Sequence, residues 1–359
     1  MAVGHENVIG KDLWAQLPVS PDAYPQKLDL VRRLALIIRL DAAGYRSASF
    51  LDDRVLGPYV QGVWMALSRV TEAALAGTGA RPLHFIFHTG HVGSTLVSRL
   101  IDETGSVLPL REPLTLRTIA DAHDLLLTPE SLLSEAQFQA LLDTFMRLWA
   151  RGYEWTRAVV VKATSSAGRV AIPLLESRPQ SRAICLNLRP EPYLATLLAG
   201  RNSAEDLRGH APGRMRRLQA RCRSPLDPLH QLSIGELAAL GWLVETASQQ
   251  DAVRRFPERV MAVEYDAFLA SVRDGMARIL AHLSLPADSG FLAGIGSSPV
   301  LQRYSKAPEQ PFSPEDRRRL LQESRRDNAA EISRGMAWLE RMARSEPQLA
   351  AVLAGGSAP

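Results

Sequence analysis

Gly90-His91-Val92-Gly93-Ser94-Thr95 is the stretch of this chain whose residue types and spacing suit chemistry most directly. Its two glycines permit positive φ angles and close backbone approach, so successive N–H groups can converge on phosphate oxygens. Ser94 and Thr95 add hydroxyls where a following helix contributes the partial positive charge of its N-terminus. The loop departs from the G-x-x-x-x-G-K-[ST] pattern of ATP- and GTP-hydrolysing proteins, because no lysine precedes Ser94. Those enzymes also need an acid at a strand end to hold magnesium. Here Val159-Val160-Val161 runs into Lys162 and Leu186-Asn187-Leu188 into Arg189, placing cations where anions could bind directly. The same glycines would suit a plain strand-to-helix turn, and Lys162 would suit an exposed strand-end cation. His84, His88 and His91 crowd the loop, but no acid or thiol joins them, so no metal site is expected.

These residues need a scaffold. Leu83 to Phe87 is an apolar, aromatic run before the loop, and Leu96, Val97, Leu100 and Ile101 continue as an amphipathic helix up to Gly105. Further strands are expected at Val107-Leu110, Ala158-Val161, Ala183-Leu188 and Val260-Val263, with intervals long enough for helices. That alternation predicts an α/β fold, a central parallel sheet flanked by helices in three layers. One intervening helix is expected to start at Thr128-Pro129 and another at Ser313-Pro314-Glu315-Asp316. Leu28, Leu30, Leu34, Leu36, Ile37 and Leu40 recur at roughly helical spacing, so residues 1–80 are expected to be a helical extension packed on a core domain of residues 81–350. Residues 351–359 read as a flexible tail.

Composition bounds the reading. The 359 residues are 46% hydrophobic and 22% charged, enough for a sizeable core and ordinary for a soluble protein that folds alone or as a homo-oligomer. A net charge of +4 and a pI near 9.3 are too mild for a nucleic-acid partner, though they favour an anionic ligand if focused in a cleft. The arginine clusters Arg214, Arg216, Arg217, Arg221, Arg223 and Arg317, Arg318, Arg319 read chiefly as solvated helix faces, with an anionic acceptor left open for the first. Cys185 and Cys222 are the two cysteines and lie in no C-x-x-C pair, which fits a reducing cytoplasm. No signal peptide or membrane span is expected.

The loop and its surroundings resemble the sulfotransferase family, whose phosphosulfate loop reads roughly P-[KR]-S-G-T-T. Arg189 followed by Thr196 in the next helix resembles the family's arginine and serine for the 3′-phosphate. The run Arg254 to Leu269, then Ile279 to Pro286, resembles its later strand, acidic turn and helix, so the likeness spans about residues 81–290. It implies transfer of a sulfuryl group from 3′-phosphoadenosine 5′-phosphosulfate (PAPS) to a hydroxyl or amine of a small-molecule or peptide acceptor, without metal, leaving adenosine 3′,5′-bisphosphate. Gly90 to Thr95 would hold the donor. His91 stands where the family has Lys or Arg and would neutralise the leaving group only if protonated. Lys162 resembles the lysine of the K-x-H element, with Thr164 in place of the basic histidine. Glu112, in Arg111-Glu112-Pro113, resembles the catalytic glutamate of protein-tyrosine and heparan-type members and would be the base; it could equally be a neighbour pair with Arg111 or a helix-start acid. Arg303-Tyr304-Ser305-Lys306 could close over the donor, although the family's R-K-G element is not present. An ATP-using phosphotransferase and a non-catalytic nucleotide-binding scaffold remain as alternatives.

Overall fold

A computed structural model describes residues 3–200 and 202–354. Its centre is built from runs of β-branched and aromatic residues too short and too apolar to be surface strands. These are β4 (Leu83–His88), β5 (Val107–Arg111), β6 (Ala158–Lys162), β7 (Ala183–Asn187) and β8 (Val260–Glu264). They form one parallel sheet in the order β5-β6-β4-β7-β8. The strand that feeds the glycine loop is therefore central, with the ends of β6 and β7 on either side of it.

Alternate residues of each strand face opposite layers, as the two-residue period requires. Phe85, Phe87, Val159 and Val161 enter one core with α5 (Leu114–Leu125), α6 (Glu135–Trp149) and α7 (Ala171–Ser177). Ile86, Val160, Ile184 and Leu186 enter the other. Against them lie α4 (Ser94–Asp102), α8 (Pro190–Leu198), α9 (Ser203–Gln219), α10 (Ile234–Arg255) and α12 (Val272–His282), with helix 329–345 farther out. This is the expected three-layer α/β arrangement. Between β8 and α12 lies the short α11 (Tyr265–Ala270).

The first 80 residues are not a helical extension. After α1 (Val3–Gln16), β1 (Ala23–Asp29) and β2 (Leu34–Arg39) form an antiparallel hairpin, and β3 (Gly62–Ala66) pairs with β2. α2 (Ala42–Ser47) and α3 (Leu67–Ala76) complete the unit. Leu34-Ala35-Leu36-Ile37-Ile38 satisfies helical and two-residue periods alike. Pairing on both edges, with Ala35 and Ile37 fully buried, makes it a strand. Thr128 closes the turn after α5 by donating to the Leu125 carbonyl; α6 starts later, where Ser134 and Gln137 form a capping box. The helix expected at Ser313 is present as 314–327, capped by Ser313 and Asp316. Residues 351–354 continue helix 347–354 rather than forming a tail, and the remainder of the expected tail lies outside the described residues. Among the described residues no helix is long and apolar enough to cross a membrane.

Two buried arginines bind the N-terminal unit to the parallel sheet. Arg151 donates to the carbonyls of Leu17, Ser20 and Ala23 at 2.6, 2.7 and 2.9 Å. Arg111, the last residue of β5, donates to Tyr45, Arg46 and Ala48 carbonyls and to Asp102. The Leu51 N–H then donates to the Arg111 carbonyl, so residues 48–55 are held across the C-terminal end of the sheet. Arg151→Met should lower the unfolding free energy by about 3 kcal/mol or more, since four carbonyls, those of Leu148, Leu17, Ser20 and Ala23, lose a donor. Urea unfolding measures this; a loss below about 1 kcal/mol would show that the N-terminal unit stands without its staple.

Candidate active site

The loop takes the shape its glycines allow. Gly90, His91 and Gly93 have φ angles of 98°, 56° and 70°, in the left-handed region that a side chain seldom adopts. Gly93 has a second constraint, because a Cβ there would lie 2.0 Å from the Tyr265 ring. It caps α4 without any side-chain hydrogen bond, so the first-turn amides of that helix have no protein acceptor at the cap. Ser94 and Thr95 are buried, and the Thr95 hydroxyl has no partner in the protein. Thr164, just beyond β6, leaves a second buried hydroxyl unpaired. Such a cluster of unmet donors suits an anion of several oxygens.

Hydrogen bonds around His88 set the position of this loop. Its Nδ1 accepts the Gly90 N–H at 3.1 Å, so the proton sits on Nε2, which donates to the Ala163 carbonyl at 2.8 Å. Thr89 is fixed by its hydroxyl bond to Asn187 and by Tyr193, which donates to the Thr89 carbonyl. Asn187 ends β7, Tyr193 lies on α8 and Ala163 directly follows β6, so the loop is held from both sides of β4.

Beside the loop, β5 and β6 end in register, with Arg111 opposite Lys162. Glu112 follows in a left-handed conformation, φ 55°, and its N–H donates to the Lys162 carbonyl at 2.6 Å. That turn points the carboxylate back at the Lys162 ammonium, with which it pairs directly; His88 Nε2 lies 3.9 Å from the same carboxylate. Lys162 is fully buried, and burial holds its pKa below the ordinary lysine value although Glu112 opposes the shift. It is an interior charge and not an exposed strand-end cation.

Three further groups converge from distant parts of the chain. The Arg54 guanidinium stacks 3.5 Å from the centre of the Phe50 ring, and the Lys162 ammonium lies 5.4 Å from that ring. Asp52 holds Arg54 from below through two hydrogen bonds. Lys306 comes from the turn between β9 (Arg303–Tyr304) and β10 (Ala307–Pro311), a hairpin anchored where Arg99 donates to the Ser305 carbonyl at 2.8 Å. Burial depresses the Lys306 pKa, Glu112 counteracts this, and Arg54 adds to the depression. Phe50 and Arg54 carry no motif in the sequence. They reach the site because Arg111, with Arg99, Gln26 and Lys27, holds residues 48–55 over the sheet, contacts that no local pattern announces.

The remaining sequence candidates fare differently. His91 is not a cation: burial pushes its pKa down to about 3, and Lys306 and Lys162 push in the same direction. The positive charges beside the loop are the two lysines. Arg189 is exposed at the N-cap of α8, while Thr196, about two turns further on, donates its hydroxyl to the Pro192 carbonyl at 2.7 Å. Neither is brought into contact with Lys162 or Glu112 by a hydrogen bond or ion pair.

The buried histidines give the site a pH signature. Burial lowers the pKa of His84 to about 4 and that of His91 to about 3, and puts His88 well below its ordinary value. All three are neutral in the folded chain and protonate near 6.5 when unfolded, so their stabilising contribution exists above that pH and is lost as pH falls. Between pH 7.5 and 5.5 these three together should lose about 4 kcal/mol, on the order of 1.4 kcal/mol each, and the whole protein more, because burial also lowers the pKa of His123, His210 and His282. Urea unfolding at both pH values measures it. His91→Asn, which tolerates the left-handed backbone, should reduce the drop by about 1.4 kcal/mol; an undiminished drop in that variant would contradict the assignment.

No protein-family model matches the chain, and no curated protein does. Among solved structures it is similar to a sulfotransferase domain from the curacin biosynthetic pathway, at 15% identity over 74% of this chain and 99% of that one, with a TM-score of 0.39. A sulfotransferase from Alicyclobacillus acidocaldarius is similar at 16% identity over 72% of this chain and 96% of its own, with a TM-score of 0.38. A mouse sulfotransferase complexed with PAP is similar at 11% identity over 76% of this chain and 96% of its own, with a TM-score of 0.34. The functional reading that follows stands on this chain's own residues.

Proposed function

We propose that this chain transfers a sulfuryl group from PAPS to a hydroxyl or amine of a small-molecule or peptide acceptor, without a metal ion. The observation that carries the reading is the Lys162–Glu112 pair buried at two adjoining strand ends beside an uncapped glycine loop. The amides of residues 90–95 would hold the phosphosulfate oxygens, with the unpaired Thr95 and Thr164 hydroxyls as further donors. Arg189 would take the 3′-phosphate, joined by Thr196 once its hydroxyl turns from Pro192.

Glu112 accepts the acceptor's proton as the acceptor oxygen or nitrogen forms its bond to sulfur. The bond from sulfur to the bridging oxygen breaks, and its electron pair stays on the leaving phosphate, where Lys162 and Lys306 meet the charge. Before a donor arrives, Lys162 and Glu112 occupy each other. An anionic donor competes with Glu112 for the ammonium and so releases the carboxylate to act as base. A magnesium-dependent phosphotransferase is less well supported, because the strands flanking β4 end in Lys162 and Asn187, an ammonium and an amide where an acid would hold the metal.

Adenosine 3′,5′-bisphosphate in EDTA, at about a hundredfold over its Kd, should stabilise the protein by about 2.7 kcal/mol, read as a Tm rise of several degrees. Gly93→Ala should abolish the rise. Glu112→Gln should keep it while lowering kcat by about 10²- to 10⁴-fold. A bisphosphate that never shifts Tm, beside ATP with magnesium that does, would favour the phosphotransferase. A retained shift with no acceptor ever sulfated would favour the scaffold.

A further inference from the structure

A cavity of about 230 Å³ lies between α5, the turn after β6 and α9. Its floor is a charge network closed on itself. Arg169 pairs with Asp121 and Asp124 at 2.5 and 3.0 Å, while Arg214 and Arg217 pair with the fully buried Glu245 at 3.4 and 2.7 Å. Three arginines thus meet three acids. Arg117 and Arg216 also line the cavity, both exposed, and neither forms an ion pair or side-chain hydrogen bond among the described residues. The Arg217 Nε hydrogen is buried without a hydrogen-bond acceptor, its nearest carboxylate oxygen being Asp124 Oδ2 at 4.0 Å. The cavity therefore carries an excess of two positive charges and one unmet interior donor.

The helix that walls it is built to leave room. Gly209 and Gly213 stand four residues apart inside α9 and line the cavity, and a Cβ at either would meet nothing within 4 Å. Each glycine weakens a helix interior by about 1 kcal/mol relative to alanine and here relieves no clash. What both preserve is space beside the arginines.

Two walls of the cavity lead toward the reacting groups, which do not themselves line it. Arg117 lies in the first turn of α5, which begins two residues after Glu112, so their Cα atoms are within about 13 Å. At the other wall, Asp206 on α9 lies near enough to Lys306 to raise its pKa, one turn before His210 of the cavity lining.

We infer that this cavity binds an oxyanion, a carboxylate or a sulfate or phosphate ester, carried by the acceptor about one small molecule's length from the hydroxyl or amine that reacts. Arg117 and Arg216 grip it and Arg217 Nε–H supplies the interior bond. Assigning the anion to the acceptor rests on the sulfuryl-transfer reading; the cation cavity does not.

Equilibrium binding of glutarate, inorganic sulfate and inorganic phosphate, measured by calorimetry with saturating adenosine 3′,5′-bisphosphate and again with Gly93→Ala to remove the loop site, tests the cavity. The tightest of the three should weaken at least about tenfold in the Arg117→Ala/Arg216→Ala double variant. Gly213→Leu should abolish it while leaving Tm unchanged or higher, the opposite of what a merely structural glycine would give. Unchanged binding in both variants overturns the proposal. The relative strength of the three probes separates a carboxylate from a sulfate or phosphate ester. Failure of the bisphosphate to bind would overturn the sulfuryl-transfer reading alone, because the Gly93→Ala arm needs no donor. Where transfer is measurable, a hydroxy acid should have a KM at least about tenfold below that of the matching alcohol, and the double variant should erase that ratio; an equal ratio in wild type and variant counts against the acceptor assignment.

Discussion

A lysine ammonium with no access to water needs an anion, and in this protein that need organises the site. Lys162 is buried at the end of β6, and Glu112, one residue beyond β5, is turned back upon it by a left-handed backbone and an N–H bond to the lysine's own carbonyl. An unpaired charge in that position would cost several kcal/mol. The strand register, the turn at Glu112 and the cover from Phe50 all serve to keep the pair together, with the ammonium buried and the carboxylate side chain 18% exposed. A buried ion pair of this kind is a poor source of net stability, since desolvation consumes most of its attraction. Its value is that a strongly anionic ligand can exchange for one partner and set the other free.

The N-terminal unit belongs to the same arrangement. Its hairpin and helices could have packed elsewhere on the core, yet Arg111 Nη1 and both terminal nitrogens of Arg151 donate to its carbonyls. Arg111 lies one residue from Glu112, so the staple that holds residues 48–55 also fixes the strand end carrying the carboxylate. From the opposite side the β9–β10 hairpin delivers Lys306. The site is thus assembled from five separate stretches of chain around one sheet edge, the C-terminal edge where open parallel sheets bind their ligands.

The sheet was readable because its strands are continuous apolar runs bounded by glycine, proline and charge, a pattern that a buried parallel strand shares with few other elements. The loop was readable for a related reason: glycine at 90 and 93 is a backbone requirement, visible whatever surrounds it. Lys162 and Glu112 could be singled out one by one, but their pairing depends on register between strands about fifty residues apart. The N-terminal hairpin was misread because Leu34 to Ile38 fits two periods, and only its partners on both edges decide between them. The charge of His91 was equally hidden, since the burial that keeps it neutral comes from the folded loop and the lysines come from β6 and the C-terminal hairpin. Gly209 and Gly213 gave no signal of a cavity, because glycine in a helix reads as weakness until the space beside it is seen.

The most direct measurement follows sulfur itself. Incubated in EDTA with PAPS labelled with sulfur-35 and a broad set of hydroxyl and amine acceptors, the wild-type protein should move label to an acceptor with one adenosine 3′,5′-bisphosphate formed per transfer, and Lys162→Met should slow this about a hundredfold or more. Label that stays on the donor although the bisphosphate binds, or transfer that proceeds undiminished without Lys162, would contradict the account.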